Sequence, residues 1–354
     1  NFSKPDPFIQ TPSVNDDSFE TVITCPIEHL DYCEDPNDRI LLNSIIALEN
    51  ALESTQRNNE TIQTSNKKCL IYIITPETSH GRGEDLELDE WYDIFTDGDS
   101  PLAEYVDLDN IEIKFEQYSD GATEHLAMLC KHLSEGKWDT IIFGGVDSLI
   151  DEYTSFEYSQ EHRVKTVDNA DGIITGEGAA FIILEANNNI NTDEKSKPLA
   201  YINAISQKEE PNAGQFVCCK YSGQSSAIND IIHTTNLTID DIDSIIVSSG
   251  LEKQFLLEWH QTITTLWPNK LSKQQRLAAL LGEIDTPILK PRKLPEKLDL
   301  SYTYGFVGAA SIPMSIALAC ARFDFKYPEI KHCMICEAND YAHRGAILLS
   351  SSIH

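Results

Sequence analysis

The chain has 354 residues, 41% of them hydrophobic, enough to bury a large core and to form one big domain or two fused ones. Its 57 Asp and Glu against 27 Lys and Arg give a net charge of −30, which excludes nucleic-acid backbones, anionic membrane surfaces and acidic carriers as direct partners. Whatever docks here is neutral, basic or strongly apolar. Nine cysteines (25, 33, 69, 130, 218, 219, 320, 333 and 336) form an odd set, several of them inside apolar runs, the habit of small core residues in a reducing compartment. No secretory leader and no apolar run of membrane-spanning length is visible, so a cytoplasmic protein is expected and the sequons at Asn59 and Asn236 carry little weight.

Residues 1–18, with three prolines and no periodicity, read as a flexible arm. From Phe19 onward, β-branched apolar runs alternate with stretches of helical period, the alternation of an α/β protein. In chain order the pattern predicts a strand at 21–24 and a helix at 39–53 with Ile40, Leu41, Ile45, Leu48 and Leu52 on one face. Strands at 69–74 and 111–116, a helix at 122–134 and strands at 140–143 and 180–185 follow. A polar stretch rich in Asn and charge, 187–198, reads as a linker between halves 19–186 and 199–354. The second half offers strands at 199–205, 244–247, 333–336 and 346–350 and helices at 227–234, 252–265, 274–281 and 312–323.

The two halves echo each other. Gly121-Ala122 opens an apolar helix, a strand follows, and Gly178-Ala179-Ala180 leads into Phe181-Ile182-Ile183-Leu184. Gly308-Ala309-Ala310 likewise opens an apolar helix, a strand follows, and Gly345-Ala346 leads into Ile347-Leu348-Leu349. A unit of this length used twice indicates a duplicated α/β half packed on its copy.

Residues 139–148, Asp-Thr-Ile-Ile-Phe-Gly-Gly-Val-Asp-Ser, and 171–185, Asp-Gly-Ile-Ile-Thr-Gly-Glu-Gly-Ala-Ala-Phe-Ile-Ile-Leu-Glu, carry a family signature. They resemble the β-ketoacyl synthases of the thiolase superfamily, whose strand ending in Gly-Gly is followed by an Asp-Gly…Gly-Glu-Gly-Ala run before a buried strand. The likeness extends over about residues 19–352. Residues 304–310 resemble the family's Gly-His-x-x-Gly-Ala motif, 339–345 stand in the place of its Asn-Ser-Phe-Gly-Phe-Gly-Gly gating loop, and 241–247 resemble the strand before its His-Gly-Thr motif. The resemblance implies a thiolase fold, two duplicated α/β halves giving a five-layered αβαβα core.

It also implies a chemistry whose groups are missing. A ketosynthase loads an acyl chain on a cysteine at a helix N-terminus, where backbone N–H groups and the dipole favour a thiolate, and uses two histidines and a lysine for decarboxylation and enolate stabilisation. The family's spacing puts the nucleophile at Ser119, the histidines near Ser249 and at Phe306, and the lysine near Ser301. No catalytic residue, cofactor or metal is therefore expected. In the gating loop, Tyr341-Ala342-His343-Arg344 replaces Phe-Gly-Phe-Gly, which stiffens the turn and fills space.

A degenerate ketosynthase has a role in this family as the chain-length factor, which heterodimerises with an active ketosynthase and walls the tunnel for the growing acyl chain. The resemblance places interface or tunnel residues at Ile113, Phe115, Tyr118 and Asp120, with ordinary core packing as the competing reading. The charge of −30 agrees, since an acidic acyl carrier protein would dock on the partner subunit instead. Two alternatives are an acyltransferase or hydrolase using Ser119, with His125 six residues on, and a scaffold without a tunnel. Cys333-Met334-Ile335-Cys336 has CxxC spacing but lies in a predicted buried strand with no second ligand pair, so it reads as structural. Gly81-Arg82-Gly83-Glu84 is too short for a phosphate loop, and the acidic residues 84–90 read as a solvated loop.

Overall fold

The computed structural model describes residues 6–12, 19–30, 33, 35–57, 68–77, 86–97, 100–106, 108–119, 121–166, 169–187, 198–215, 218–268, 273–283, 294–325 and 329–352. Asp120, residues 81–85 and most of the expected linker (188–197) lie outside them. The first half runs β1 (Asp6–Pro12), β2 (Phe19–Cys25), α1 (Pro36–Arg57), β3 (Cys69–Thr75), α2 (Leu88–Thr96), β4 (Ile111–Gln117), α3 (Ala122–Ser134), β5 (Thr140–Ser148), α4 (Glu152–Gln160) and β6 (Thr175–Glu185). The second runs β7 (Tyr201–Glu209), α5 (Gly223–Thr235), β8 (Ser244–Val247), α6 (Lys253–Leu266), α7 (Lys273–Leu280), β9 (Glu296–Asp299), α8 (Leu300–Tyr304), α9 (Ser311–Phe325), β10 (His332–Ala338) and β11 (His343–Ser350). The strands form two mixed sheets, ordered β1-β2-β6-β5-β3-β4 and β7-β11-β10-β8-β9.

Side-chain alternation along the strands sorts the residues into layers. Leu70 and Tyr72 of β3 and Ile141 and Phe143 of β5 face inward onto α3 and α9. Cys333 and Ile335 of β10 and Ile347 and Leu349 of β11 close on the same two helices from the other side. The alternate residues Cys69, Ile71, Ile73 and Ile142 face outward onto Ile40, Leu48 and Leu52 of α1 and Trp91 of α2. Met334, Cys336, Ala346 and Leu348 face Ala227, Ile228 and Ile231 of α5 and Leu266 of α6. The result is helix, sheet, helix, sheet, helix, a thiolase fold with α3 and α9 as its central layer.

Four differences from the sequence reading have local causes. Residues 6–12, expected in a flexible arm, pair antiparallel with β2, a backbone contact that hydropathy does not announce. Residues 88–90 of the expected solvated loop begin α2, where Asp89 and Glu90 favour the positive end of the helix and Trp91 and Phe95 bury one face. Helix α4, unpredicted, is capped by Asp151, whose carboxylate accepts from the Thr154 amide at 2.7 Å. The short α8 and the charged β9 have no periodic signal of their own, and β9 pairs parallel to β8. Cys333 and Cys336, three apart on one strand, face opposite layers and remain free thiols.

Candidate functional site

The sequence echo becomes a reciprocal hydrogen-bonding arrangement in three dimensions. At the end of β5, Asp147 sits opposite Gly178 of β6, and at the end of β10, Glu337 sits opposite Gly345 of β11. Asp147 receives an amide from the 3-10 turn at Gly308–Ala310 that leads into α9, and Glu337 receives the first two amides of α3. The Ala309 amide donates to Asp147 at 3.0 Å, while the Ala122 and Thr123 amides donate to Glu337 at 2.8 and 2.9 Å. Both pairings place a negative group on a helix N-terminus. Gly121 (φ 101°) and Gly308 (φ 42°) precede these amides, and a side chain on either would run into the His343 ring or the Asp147 carboxylate.

Glu337 is the better connected of the two. The Tyr118 hydroxyl donates to its Oε1 at 3.1 Å, the Thr123 hydroxyl donates to its Oε2, and His343 Nε2 lies 3.3 Å from Oε2. Burial pushes the Glu337 pKa up, but its bonds to His343 and Thr123 outweigh that, and the group titrates below the ordinary carboxylate range. Burial, then the neighbouring Glu337 charge, pushes the Tyr118 hydroxyl up.

The four positions that the resemblance singled out fall into two pairs. Ser119, just past β4, lines a narrow cleft together with Phe306, Tyr118, Tyr158, Phe255 and Tyr341. Phe306 also packs on Val22, Leu149, Tyr158, Val164 and Ile173. Ser249 and Ser301 meet each other instead, the Ser301 hydroxyl donating to the Ser249 carbonyl at 2.7 Å. Among the described residues, neither a cysteine nor a histidine lines the cleft. His125 turns to Tyr72, with Nδ1 2.8 Å from its hydroxyl, and does not line the cleft with Ser119. No group of three or more metal-ligating side chains occurs among the described residues.

The residues expected in place of the gating loop, Tyr341, Ala342, His343 and Arg344, are tied down one by one. Tyr341 donates to Glu77 at 2.7 Å, which raises its hydroxyl pKa to about 12. The Glu210 amide donates to the Ala342 carbonyl at 2.7 Å. His343 and Arg344 belong to β11, opposite Glu209 and Lys208 of β7. Buried Arg344 pairs with Glu258 at 2.8 Å and donates through one terminal nitrogen to the Asn339, Tyr341 and His343 carbonyls. Arg163 holds the preceding residue, Asp340, at 2.8 Å while also pairing with Glu252 at 2.9 Å. Two arginines, Arg163 and Arg344, thus hold residues 339–343.

Of the proposed interface residues, Ile113 is buried against the α1 side of the first sheet. Phe115 packs edge-on against Trp91 at 6.0 Å and close to Phe95 at 6.3 Å. Tyr118 is buried over Glu337. Sequence reasoning missed Glu337, Arg163, Glu252, Glu77 and Asn339. Only Glu337 had a usable signal: it ends the strand that echoes the one ending in Asp147.

No protein-family profile and no curated protein sequence matches the chain. Solved structures do match its fold. A chain from the complex of a type II polyketide synthase acyl-carrier protein with its hexaketide-bound ketosynthase (AntDE:AntF) is 12% identical, with a TM-score of 0.64 over 93% of this chain and 88% of that one. The ketosynthase from module 6 of the bacillaene synthase of Bacillus subtilis 168 is 13% identical, with a TM-score of 0.60 over 90% of this chain and 59% of that one. The ishigamide ketosynthase/chain length factor is 12% identical, with a TM-score of 0.56 over 81% of this chain and 76% of that one. The chain therefore has the fold of the ketosynthases and spans about three fifths of the length of the bacillaene enzyme. No helix among the described residues is long and apolar enough to cross a membrane.

Proposed function

We propose that this chain is a ketosynthase-like subunit without condensing activity, of the chain-length-factor kind, which pairs with an active ketosynthase and helps wall the tunnel for its growing acyl chain. The observation that carries the reading is Glu337 on the N-terminus of α3, the kind of place where the family holds its acyl-accepting thiolate. A resident carboxylate there uses the amides that would stabilise a thiolate or an oxyanion and repels either one. Ser119, Ser249, Ser301 and Phe306 in place of Cys, His, Lys and His remove the remaining chemistry.

The pairing surface in this reading is β4, the last strand of its sheet. Its outer edge offers backbone groups for strand addition, and Glu112 and Lys114 on the strand are exposed. A second copy would bring −30 against −30, so a less acidic partner is favoured. The acyl carrier docks on that partner.

Two measurements test this. Co-expressed with a type II ketosynthase, one encoded in its own genome, the chain co-purifies with that enzyme, and charged substitutions on β4 abolish co-purification; failure to co-purify favours a scaffold. Alone, it shows no carrier-dependent malonyl decarboxylation and takes up no acyl group from a thioester. A mass increase abolished by Ser119→Ala would instead establish the acyltransferase.

A further inference from the structure

Strand β4, at the edge of its sheet, presents two unlike faces, and together they specify the strand that fits beside it. The register with β3 sets Glu112, Lys114 and Glu116 on the face of Leu70, Tyr72 and Ile74, and Ile111, Ile113 and Phe115 on the opposite one. On that second face Phe115 meets Trp91 and Phe95 of α2, and the same helix leaves Tyr92 46% and Ile94 39% exposed. One side of the edge is charged and the other apolar.

The charged row does not balance itself. Its one ammonium, Lys114, pairs with Glu116 at 2.9 Å and lies over the Tyr72 ring at 5.4 Å. Glu112 is exposed and takes part in no ion pair among the described residues. In water such a carboxylate is well solvated. A strand added to the edge covers it, and a covered charge without a counter-ion is strongly unfavourable. The side chain directly opposite on the added strand shares its face, about 5 Å away between Cβ atoms, and is the group placed to supply that counter-ion.

These properties eliminate most partner strands. An acidic one sets like charges opposite each other. A wholly apolar one suits Ile111 and Phe115 but covers Glu112 with nothing to pair it. A second copy overlapping the two rows brings four carboxylates against two ammonium groups, so the row guards the edge against self-pairing. We propose that β4 pairs with the edge strand of a different chain, one that carries Lys or Arg opposite Glu112, apolar residues on either side of that cation, and an uncharged residue opposite Lys114.

The inference rests on the β4 pairing of the proposed function and adds the chemistry of the partner strand, which is testable without a ketosynthase. The probes are two fluorescent peptides, TVTVKVTVT and the same sequence with glutamate for the lysine, N-methylated along one edge to prevent self-association. Each is titrated against the full chain by fluorescence anisotropy at low ionic strength. The expected result is saturable binding of the lysine peptide that weakens as salt rises, with hydrogen exchange slowed in residues 111–117. The glutamate peptide binds about tenfold more weakly, since a like-charge pair replaces an opposite-charge one. Glu112→Gln removes the preference and Glu112→Lys, at an exposed position, reverses it. No saturable binding of the lysine peptide, equal binding of both peptides, or an unchanged preference in Glu112→Lys overturns the proposal. Discrimination by a chain that co-purifies with no ketosynthase upholds the proposal and fails the ketosynthase reading; co-purification of a chain that discriminates neither peptide does the reverse.

Discussion

Replacing Glu337 with alanine tests whether the carboxylate on α3 holds the two halves together. The substitution removes the acceptor for the Ala122 amide, the Thr123 amide, the Thr123 hydroxyl and the Tyr118 hydroxyl, and the partner of His343. Four donors left buried would cost about 1–3 kcal/mol each if nothing replaced the carboxylate. Water entering the vacated space recovers part of that, so a loss of about 3–5 kcal/mol is expected, the usual result of removing one member of a buried charged network. Glutamine keeps one acceptor oxygen but turns an NH2 toward these donors, and does little better than alanine. The assay is urea unfolding at pH 7, with hydrogen exchange read at the Ala122 and Thr123 amides, which should lose protection in the variant. The pH dependence has a definite sign. Because the folded pKa of Glu337 is depressed, its contribution is present above the unfolded value of about 4.3 and is lost as pH falls through the folded value. The gap between wild type and variant therefore narrows in acid. Millimolar formate should restore part of the variant's stability by occupying the vacated amides. A loss below about 1 kcal/mol, with unchanged exchange at both amides, would refute the reasoning.

Other outcomes follow from the same contacts. Gly308→Ala drives a methyl group into the Asp147 carboxylate at a positive φ, and its melting temperature should fall well below that of an exposed control such as Gly214→Ala, which meets no neighbour but shares the positive φ. Arg163→Met leaves Glu252 and Asp340 without their cation and should cost about 2–3 kcal/mol at pH 7, since the trio is only partly buried. Burial already pushes the Glu252 pKa up against the pull of Arg163; without the arginine it rises further, so the variant, measured by chemical denaturation, loses stability relative to wild type as pH climbs from 4 to 7. In native thiol titration with a chromogenic disulfide, exposed Cys218 reacts first. Cys130 and Cys320, which burial pushes up to about 11, and Cys69 and Cys333, pushed up to about 12, stay silent until the chain unfolds. Ser119→Cys should label with iodoacetamide yet support no carrier-dependent condensation, because it restores a thiol without the histidines.

The sequence alone carried the architecture further than the site. Alternating β-branched runs identified nine strands close to their observed positions, and the helix over 122–134 matches α3 end to end, because half-buried strands and amphipathic helices each leave a period in the chain. The Gly144-Gly145 pair carried the resemblance but hid the true length of β5, which continues to Ser148. Gly145 is there because a side chain would strike the Ala309 carbonyl of the other half, a reason invisible along the strand. The expectation of an absent cysteine, histidines and lysine came from local strings, the only form in which a motif is legible along a chain.

What only the tertiary structure decided is what fills their place. Glu337 is 215 positions from the Ala122 amide it accepts from, and Asp147 is 162 from the Ala309 amide. Arg163 reaches Asp340 across 177 positions. A carboxylate's partner depends on which helix end the folded sheets bring beside it, and no spacing within one strand or helix encodes that distance. Periodicity therefore fixed the layers, while the electrostatics of the site arose from the crossing of two halves whose contacts are almost all remote in sequence.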